Sequence, residues 1–112
     1  MDRKNEKGNL ENRQPLITQV GNIQFEIGGI YATPGAIAAL EEAGEVGITY
    51  LARHQSGDWG DVSKRDKREN ELSLKKGFRI VSTYILPNTG EKIWIITEAD
   101  RSSTTILLPS EY

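Results

Sequence analysis

Apolar and polar residues alternate near the start of the chain in a pattern that predicts a β-hairpin. Residues 23–27 place an apolar side chain at every second position, which is the period of a half-buried strand. Residues 21–22, Gly-Asn, are a two-residue turn signal, so residues 16–20 are predicted to pair with this strand. A Gly-Gly pair at residues 28–29 then predicts a break or bulge before Ile30.

The last third of the chain is the richest in β-branched and aromatic residues. Three such stretches, residues 78–86, 92–97 and 104–108, are separated by a Pro-Asn-Thr-Gly loop and by a polar segment at 98–103. Strand-forming stretches with short turns between them are typical of an antiparallel meander. Phe78 and Trp94 lie in these stretches and are predicted to belong to the core.

The middle of the chain carries helix signals. Thr33 can cap free amide groups, Pro34 suits the first helical position, and Gly44 favours a left-handed stop. This first helix is predicted to bury a stripe formed by Ile37, Leu40 and the neighbouring alanines.

A second short helix is predicted over residues 48–55, where Ile48 and Leu51 point inward and Gly57 ends the element. Ser63, followed three residues later by Asp66, resembles a capping box and starts a third helix, which runs to Lys76 and stops at Gly77. Its sequence is mostly polar, so this helix is expected at the surface.

These elements predict an α+β fold. The sheet is expected to be antiparallel, with a C-terminal three-stranded meander plus the N-terminal hairpin, and two to three helices are expected to pack on one face. Residues 1–14 are almost free of large apolar side chains and are interpreted as a disordered tail. Residues 15–112 are interpreted as a single α+β domain.

Composition narrows the possible chemistry. The 112 residues include one histidine and no cysteine, which excludes disulfides, thiolate metal sites and two-histidine zinc sites. No apolar run approaches the roughly 18 residues of a membrane span, and the first residues lack the apolar region of a secretion signal. A cytoplasmic protein without membrane contact is therefore expected, and neither a cofactor nor a metal is predicted.

The formal net charge of -2 argues against a surface that attracts nucleic acid as a whole. Half of the basic residues nevertheless lie in one stretch, at residues 64–79. Acidic residues are interleaved with them at helical spacing, which favours a solvated helix face over a DNA-binding helix. A DNA-binding regulator remains a weaker alternative.

The polar segment at 98–103 is the first candidate site. Glu98 and Asp100 can hold a hydrated Mg²⁺ at a strand end, and Arg101 beside them can bind a phosphate group. The alternative is a polar turn in which Asp100 binds its own backbone and Arg101 pairs with Glu98. The density of polar groups favours a binding role, without catalysis.

The loop after the second helix is the other candidate. His54 beside Asp58 and Asp61 can act as a general base or carry a raised pKa, and Trp59 can contact a ligand. The alternative is a histidine favoured at a helix C-terminus, with Trp59 anchoring the loop to the core.

The chain also resembles a known family. The resemblance lies in Arg53 to Asp61 and Gly77 to Tyr84, followed by Trp94 to Tyr112, and it covers roughly residues 30–112. The family consists of small proteins carried on bacterial plasmids, prophages and integrative elements, which are called plasmid-related proteins or restriction-system subunits. The resemblance implies an accessory role in a mobile element, including interference with host defence.

Three functions are therefore considered. The first is a non-enzymatic binding protein that blocks a host protein or sequesters a small anionic, nucleotide-type ligand. The second is a metal-dependent nuclease or phosphodiesterase using Glu98, Asp100 and either Asp58 or Asp61, and the third is the DNA-binding regulator. Under the first, Arg101→Ala is expected to abolish function while leaving the fold intact.

Overall fold

Four strands form one mixed sheet in the computed structural model of this protein, which describes residues 22–112. The strands are β1 (Gly29–Ala32), β2 (Ile80–Ile85), β3 (Lys92–Thr97) and β4 (Ser103–Leu107). Their order across the sheet is β1-β4-β3-β2, in which β1 runs parallel to β4 and the other pairs are antiparallel. The helices are α1 (Pro34–Ala43), α2 (Gly47–Gln55) and α3 (Lys64–Lys76), and a 3-10 turn, Pro109–Glu111, follows β4.

The α+β class and the three-stranded meander are confirmed, but the sheet is not purely antiparallel. Residues 23–27 form no strand, because Phe25 is buried against α2 and the following loop instead of pairing along the sheet. Gly28, at a φ of 61°, turns the chain so that pairing with β4 begins at Gly29. The predicted partner strand at 16–20 and the predicted tail at 1–14 lie outside the described residues.

The predicted ends of α1 and α3 are confirmed. Thr33 accepts a hydrogen bond from the Ala36 amide at 3.1 Å, and Gly44 ends α1 in the left-handed conformation. Ser63 accepts from the Asp66 amide at 3.0 Å at the start of α3, which ends at Gly77. Each signal acts within a few residues, which is why the sequence alone is enough to find it.

The predicted inner faces of α1 and α2 are partly wrong. Ile37 is 46% exposed and Ile48 is 72% exposed. The buried residues of α1 are Ala36, Ala39, Leu40 and Ala43, so the helix lies close to the sheet and Ile37 is turned outward. In α2 the buried residues are Tyr50, Leu51 and His54, a helical stripe from which Ile48 is excluded.

The two faces of the sheet have different surroundings. One face packs against α1 and α2 around a buried cluster that includes Leu40, Tyr50, Tyr84, Ile95 and Ile106. Residues of the opposite parity in β2 and β3 point to the second face, because successive side chains of a strand alternate. They are Val81, Thr83, Trp94 and Ile96.

Side chains and loop backbone cover the outer edge of β2. The Asn70 amide of α3 donates to the Val81 carbonyl at 2.8 Å and accepts from the Val81 amide at 3.2 Å. Thr83 exchanges backbone hydrogen bonds with Trp59 and Asp61, at 3.0 and 2.7 Å. At Val81 and Thr83 the edge of β2 therefore has no free backbone groups with which a further strand could pair.

The 3-10 turn returns the chain to α1. The Glu111 carboxylate accepts from the amides of Leu108 and Gly35, at 2.8 and 3.1 Å, and from the Thr33 hydroxyl. The Thr33 contact, followed by the backbone donors, holds the pKa of Glu111 below its usual value. The carboxylate thereby stabilises the free amides at the start of α1.

Two glycines with similar positive φ angles test the close contact at the β2 edge. Gly60 has a φ of 77°, and a Cβ there would lie 2.0 Å from the Thr83 carbonyl oxygen. Gly44 has a φ of 70°, but a Cβ there would meet nothing within 4 Å. Gly44→Ala is expected to cost about 1–2 kcal/mol for the left-handed backbone alone. Gly60→Ala is expected to cost about 1–3 kcal/mol more, because the loop must also move away from β2. Urea unfolding measures both, and equal losses would contradict the contact.

Candidate functional site

His54 lies in the last turn of α2 and is fully buried against the sheet. Its Nδ1 atom is 2.6 Å from the Ser82 Oγ in β2, and its Nε2 atom is 2.9 Å from the Thr97 Oγ1 in β3. The imidazole therefore bonds to two neighbouring strands at once. Both ring nitrogens are satisfied, as a buried histidine requires.

The hydroxyl groups around His54 determine its tautomer. The Thr104 hydroxyl donates to the Ile27 carbonyl at 2.8 Å, so it must accept from Thr97, 2.7 Å away. Thr97 then has no proton left for His54 and accepts from the Nε2–H group. The Nδ1 atom accepts in turn from Ser82. A continuous chain of hydrogen bonds thus connects β2, α2, β3 and β4 to the segment before β1, and each side chain donates to the next group.

The environment keeps His54 neutral. Burial, together with the charge of Arg101, lowers the pKa of His54 from 6.5 to about 3. This direction is opposite to the raised pKa considered from the sequence. The carboxylate that was expected to raise the pKa of His54, Asp58, pairs with Arg53 instead. The imidazole has a packing role, and the helix C-terminus does not hold it as a cation.

The loop after α2 is held by its own side chains. Trp59 is buried, and its indole N–H donates to the Glu71 carboxylate of α3 at 2.9 Å, so this residue anchors the loop. The Asp58 carboxylate accepts from Arg53 Nε at 2.7 Å, and this contact holds the pKa of Asp58 below its usual value. The Asp61 side chain is exposed.

Arg101 makes structural contacts that the sequence did not indicate. Its Nη1 atom donates to the carbonyls of Phe78, Ala99 and Glu98, at 2.7, 3.1 and 3.2 Å. Its Nη2 atom donates to the Ser73 carbonyl at 3.0 Å. The guanidinium therefore joins the last turn of α3, the segment before β2 and the turn before β4.

The rest of the 98–103 turn binds to itself. The Asp100 carboxylate accepts from the Ser102 amide at 3.0 Å, and the Ser102 hydroxyl and this amide hold the pKa of Asp100 below its usual value. Glu98 is exposed, and Arg101 bonds to its carbonyl, not to its carboxylate. Within residues 22–112, no group of three or more His, Cys, Asp or Glu side chains is placed to hold a metal ion.

The two predicted sites meet at Phe25. The His54 ring lies 5.1 Å from the Phe25 ring and the Trp59 ring lies 6.1 Å from it, while the Arg101 guanidinium carbon is 5.7 Å from the same centroid. His54, Trp59 and Arg101 thus converge, but the Phe25 ring fills the space between them. The binding roles assigned from the sequence to these residues stay predictions.

A groove of about 700 Å³ opens on the other face of the sheet, where the sequence predicted no site. Its apolar floor is formed by Val81, Thr83, Trp94 and Ile96. One side of α3, with residues that recur once per helical turn, forms a wall. The wall and rim residues include Asp66, Glu69, Leu72, Phe78, Arg79 and Tyr112.

The end of this groove is aromatic. The rings of Trp94 and Tyr112 meet edge to face, with centroids 5.7 Å apart. Arg79 donates to the Tyr112 hydroxyl at 2.8 Å, and its guanidinium carbon lies 5.6 Å from the Tyr112 ring centroid. Phe78, predicted to be core, is 55% exposed at the rim.

One sequence signal for this groove exists in β3. Ile93 and Ile95 point to the helix-covered face, while Trp94 and Ile96 point to the other, so the strand is apolar on both faces. A strand that is apolar on both faces is expected to be covered by other parts of a protein on both faces. The helices α1 and α2 cover one side only, and the groove lies on the other.

Comparison of the chain with protein-family models, with curated proteins and with solved structures found no match. None of the helices in residues 22–112 has the length and hydropathy needed to span a membrane. The resemblance described above therefore stays a prediction.

The neutral state of His54 predicts a pH-dependent stability. Between pH 6.5 and about 3 the unfolded chain binds a proton that the folded protein excludes, so stability falls as the pH drops below 6.5. Between pH 7.5 and 5.5 the expected loss is about 1.4 kcal/mol, measured by urea unfolding. His54→Gln, although less stable, is expected to lose this dependence. Because His54 is the only histidine, its NMR signal gives a direct control, and a titration near pH 6.5 would contradict burial as a neutral group.

The contacts of Arg101 predict a different result from the one expected from the sequence. Arg101→Ala is expected to lower stability by about 2–3 kcal/mol, because it removes charge-assisted hydrogen bonds from one cation to several carbonyls. Arg101→Lys is expected to recover part of this loss, since an ammonium cannot copy the planar fork. Arg101 has a φ of 63°, so Arg101→Gly should be about 1 kcal/mol more stable than Arg101→Ala. If urea unfolding of Arg101→Ala shows a loss of stability of only a few tenths of a kcal/mol, these contacts contribute little.

Proposed function

We propose that this protein is a non-enzymatic binding protein and that the groove beside α3 is its contact surface. The observation that carries the proposal is the apolar floor of the groove, which lies on the sheet face opposite α1 and α2. Its volume falls within the range of roughly 300–1,000 Å³ that is common for ligand sites.

Exposed apolar side chains surround this floor. Leu72, Phe78 and Tyr112 are each about half or more exposed, although they line the same groove. A contiguous apolar surface with a polar rim is typical of a site that binds a protein or a ligand.

The contacts of the candidate catalytic residues also favour binding over catalysis. His54 is buried and neutral, Asp58 is paired with Arg53, and Arg101 is bonded to backbone carbonyls. Each of these three side chains supports the fold at its observed position.

Charge favours a protein as the partner. Two carboxylates, of Asp66 and Glu69, and one cation, Arg79, line the groove, so an anionic ligand or a nucleic acid would meet an excess of negative charge there. On α3, Arg65 pairs with Glu69 at 3.6 Å, which agrees with a solvated helix face. The resemblance to proteins of mobile elements supplies the setting of the proposal, in which the partner is a host protein, for example a component of a defence system.

A pair of lysine substitutions tests the groove. Leu72→Lys places a charge at the groove, whereas Ile48→Lys makes the same change on α2, at a residue outside the groove lining. Both positions are exposed, so both variants are expected to keep stability within about 0.5 kcal/mol. A host protein captured by the original chain and by Ile48→Lys should be lost from Leu72→Lys. Capture that is the same in all three, or absent from all three, would contradict the proposal.

A further inference from the structure

We propose that the groove binds a cationic side chain, an arginine or a lysine, carried by an extended segment of the partner protein. This inference rests on the proposed function and names the chemistry of the partner. Two carboxylates and an aromatic end face the same apolar floor.

The carboxylates stand on one stripe of α3. Asp66 and Glu69 are three residues apart and therefore lie on the same side of the helix. Asn70 and Ser73 continue the stripe and are buried beside β2, which directs this side of α3 to the groove.

The carboxylate of Glu69 remains available to a partner. Its contact with Arg65 is 3.6 Å long, and the two side chains are 63% and 80% exposed. Exposed pairs of this kind contribute little and exchange readily with other partners.

The aromatic end suits a cation. An indole ring is the best face for a guanidinium or ammonium group, and Trp94 offers a half-buried one in the groove. Arg79 shows the same chemistry within the chain, because its guanidinium already lies near the Tyr112 ring. The hydrogen bond to the Tyr112 hydroxyl directs Arg79 to that residue, so Arg79 does not pair with Asp66 or Glu69.

The floor favours an extended segment over a free cation. Val81, Thr83, Trp94 and Ile96 form two adjacent rows across β2 and β3, on which alternate side chains of an extended peptide can rest. The edge of β2 is bonded to Asn70, Trp59 and Asp61. The segment therefore lies across the side chains of the sheet and does not add a strand at that edge.

Three synthetic octapeptides, acetylated and amidated, provide the probes. One alternates valine with arginine, one valine with citrulline, and one valine with glutamate. Citrulline keeps the shape of arginine without its charge. The chain has two tryptophans, so two indole N–H signals in an NMR titration report separately on Trp94 in the groove and on buried Trp59.

The variants separate the site from net charge. Asp66→Asn with Glu69→Gln neutralises the wall, and Glu41→Gln with Glu42→Gln removes the same charge from α1, outside the groove lining. Urea unfolding of both double variants confirms that each is folded before the titration.

The arginine peptide is expected to shift the Trp94 signal but not the Trp59 signal, and to bind at least about tenfold more tightly than the citrulline peptide. Neutralising Asp66 and Glu69 should remove this preference, while the α1 control should keep it. Added salt should weaken binding of the arginine peptide.

Equal binding of the arginine, citrulline and glutamate peptides would overturn the inference, as would an unchanged preference in the neutralised variant or no binding at all. The proposed function fails separately. If Leu72→Lys loses a captured host protein while the arginine peptide does not bind, the groove is a contact surface and only its preference for cations is wrong. If neither effect is seen, both proposals fail.

Discussion

The buried hydrogen bonds of His54 are the constraint on which the rest of the fold depends. One neutral imidazole joins α2 to Ser82 and Thr97, and the line continues through Thr104 to the carbonyl of Ile27. Removing one member would leave a buried polar group without a partner, which typically costs about 1–3 kcal/mol. The network therefore requires one register of the strands and one position of the segment before β1.

A second set of contacts closes the same end of the molecule around Phe25. The rings of His54 and Trp59 and the guanidinium of Arg101 surround it. Arg101 also joins α3 to the segment before β2 and to the turn before β4. The positive charge of Arg101 at this position disfavours a positive charge on His54. Packing and electrostatics thus support each other here.

Because of these internal contacts, the proposed contact surface lies on the other face of the sheet. Histidine, paired carboxylates and arginine suggested chemistry, but their polar atoms are largely engaged within the chain. Trp94 and Ile96 suggested only a core, yet they form the floor of a groove whose wall carries Asp66 and Glu69. The binding role proposed for this groove rests on what surrounds each side chain and not on the residue type.

The sequence by itself determined the helix caps, the left-handed stops and the meander, because each depends on residues a few positions apart. Only the tertiary structure decided that β1 pairs in parallel with β4 and that Phe25 belongs to the core without being part of a strand. It also decided the protonation of His54, whose partner Thr97 is 43 residues away. Contacts between distant segments set burial, and burial sets the charge state and the exposed surface. Local patterns do not contain that information.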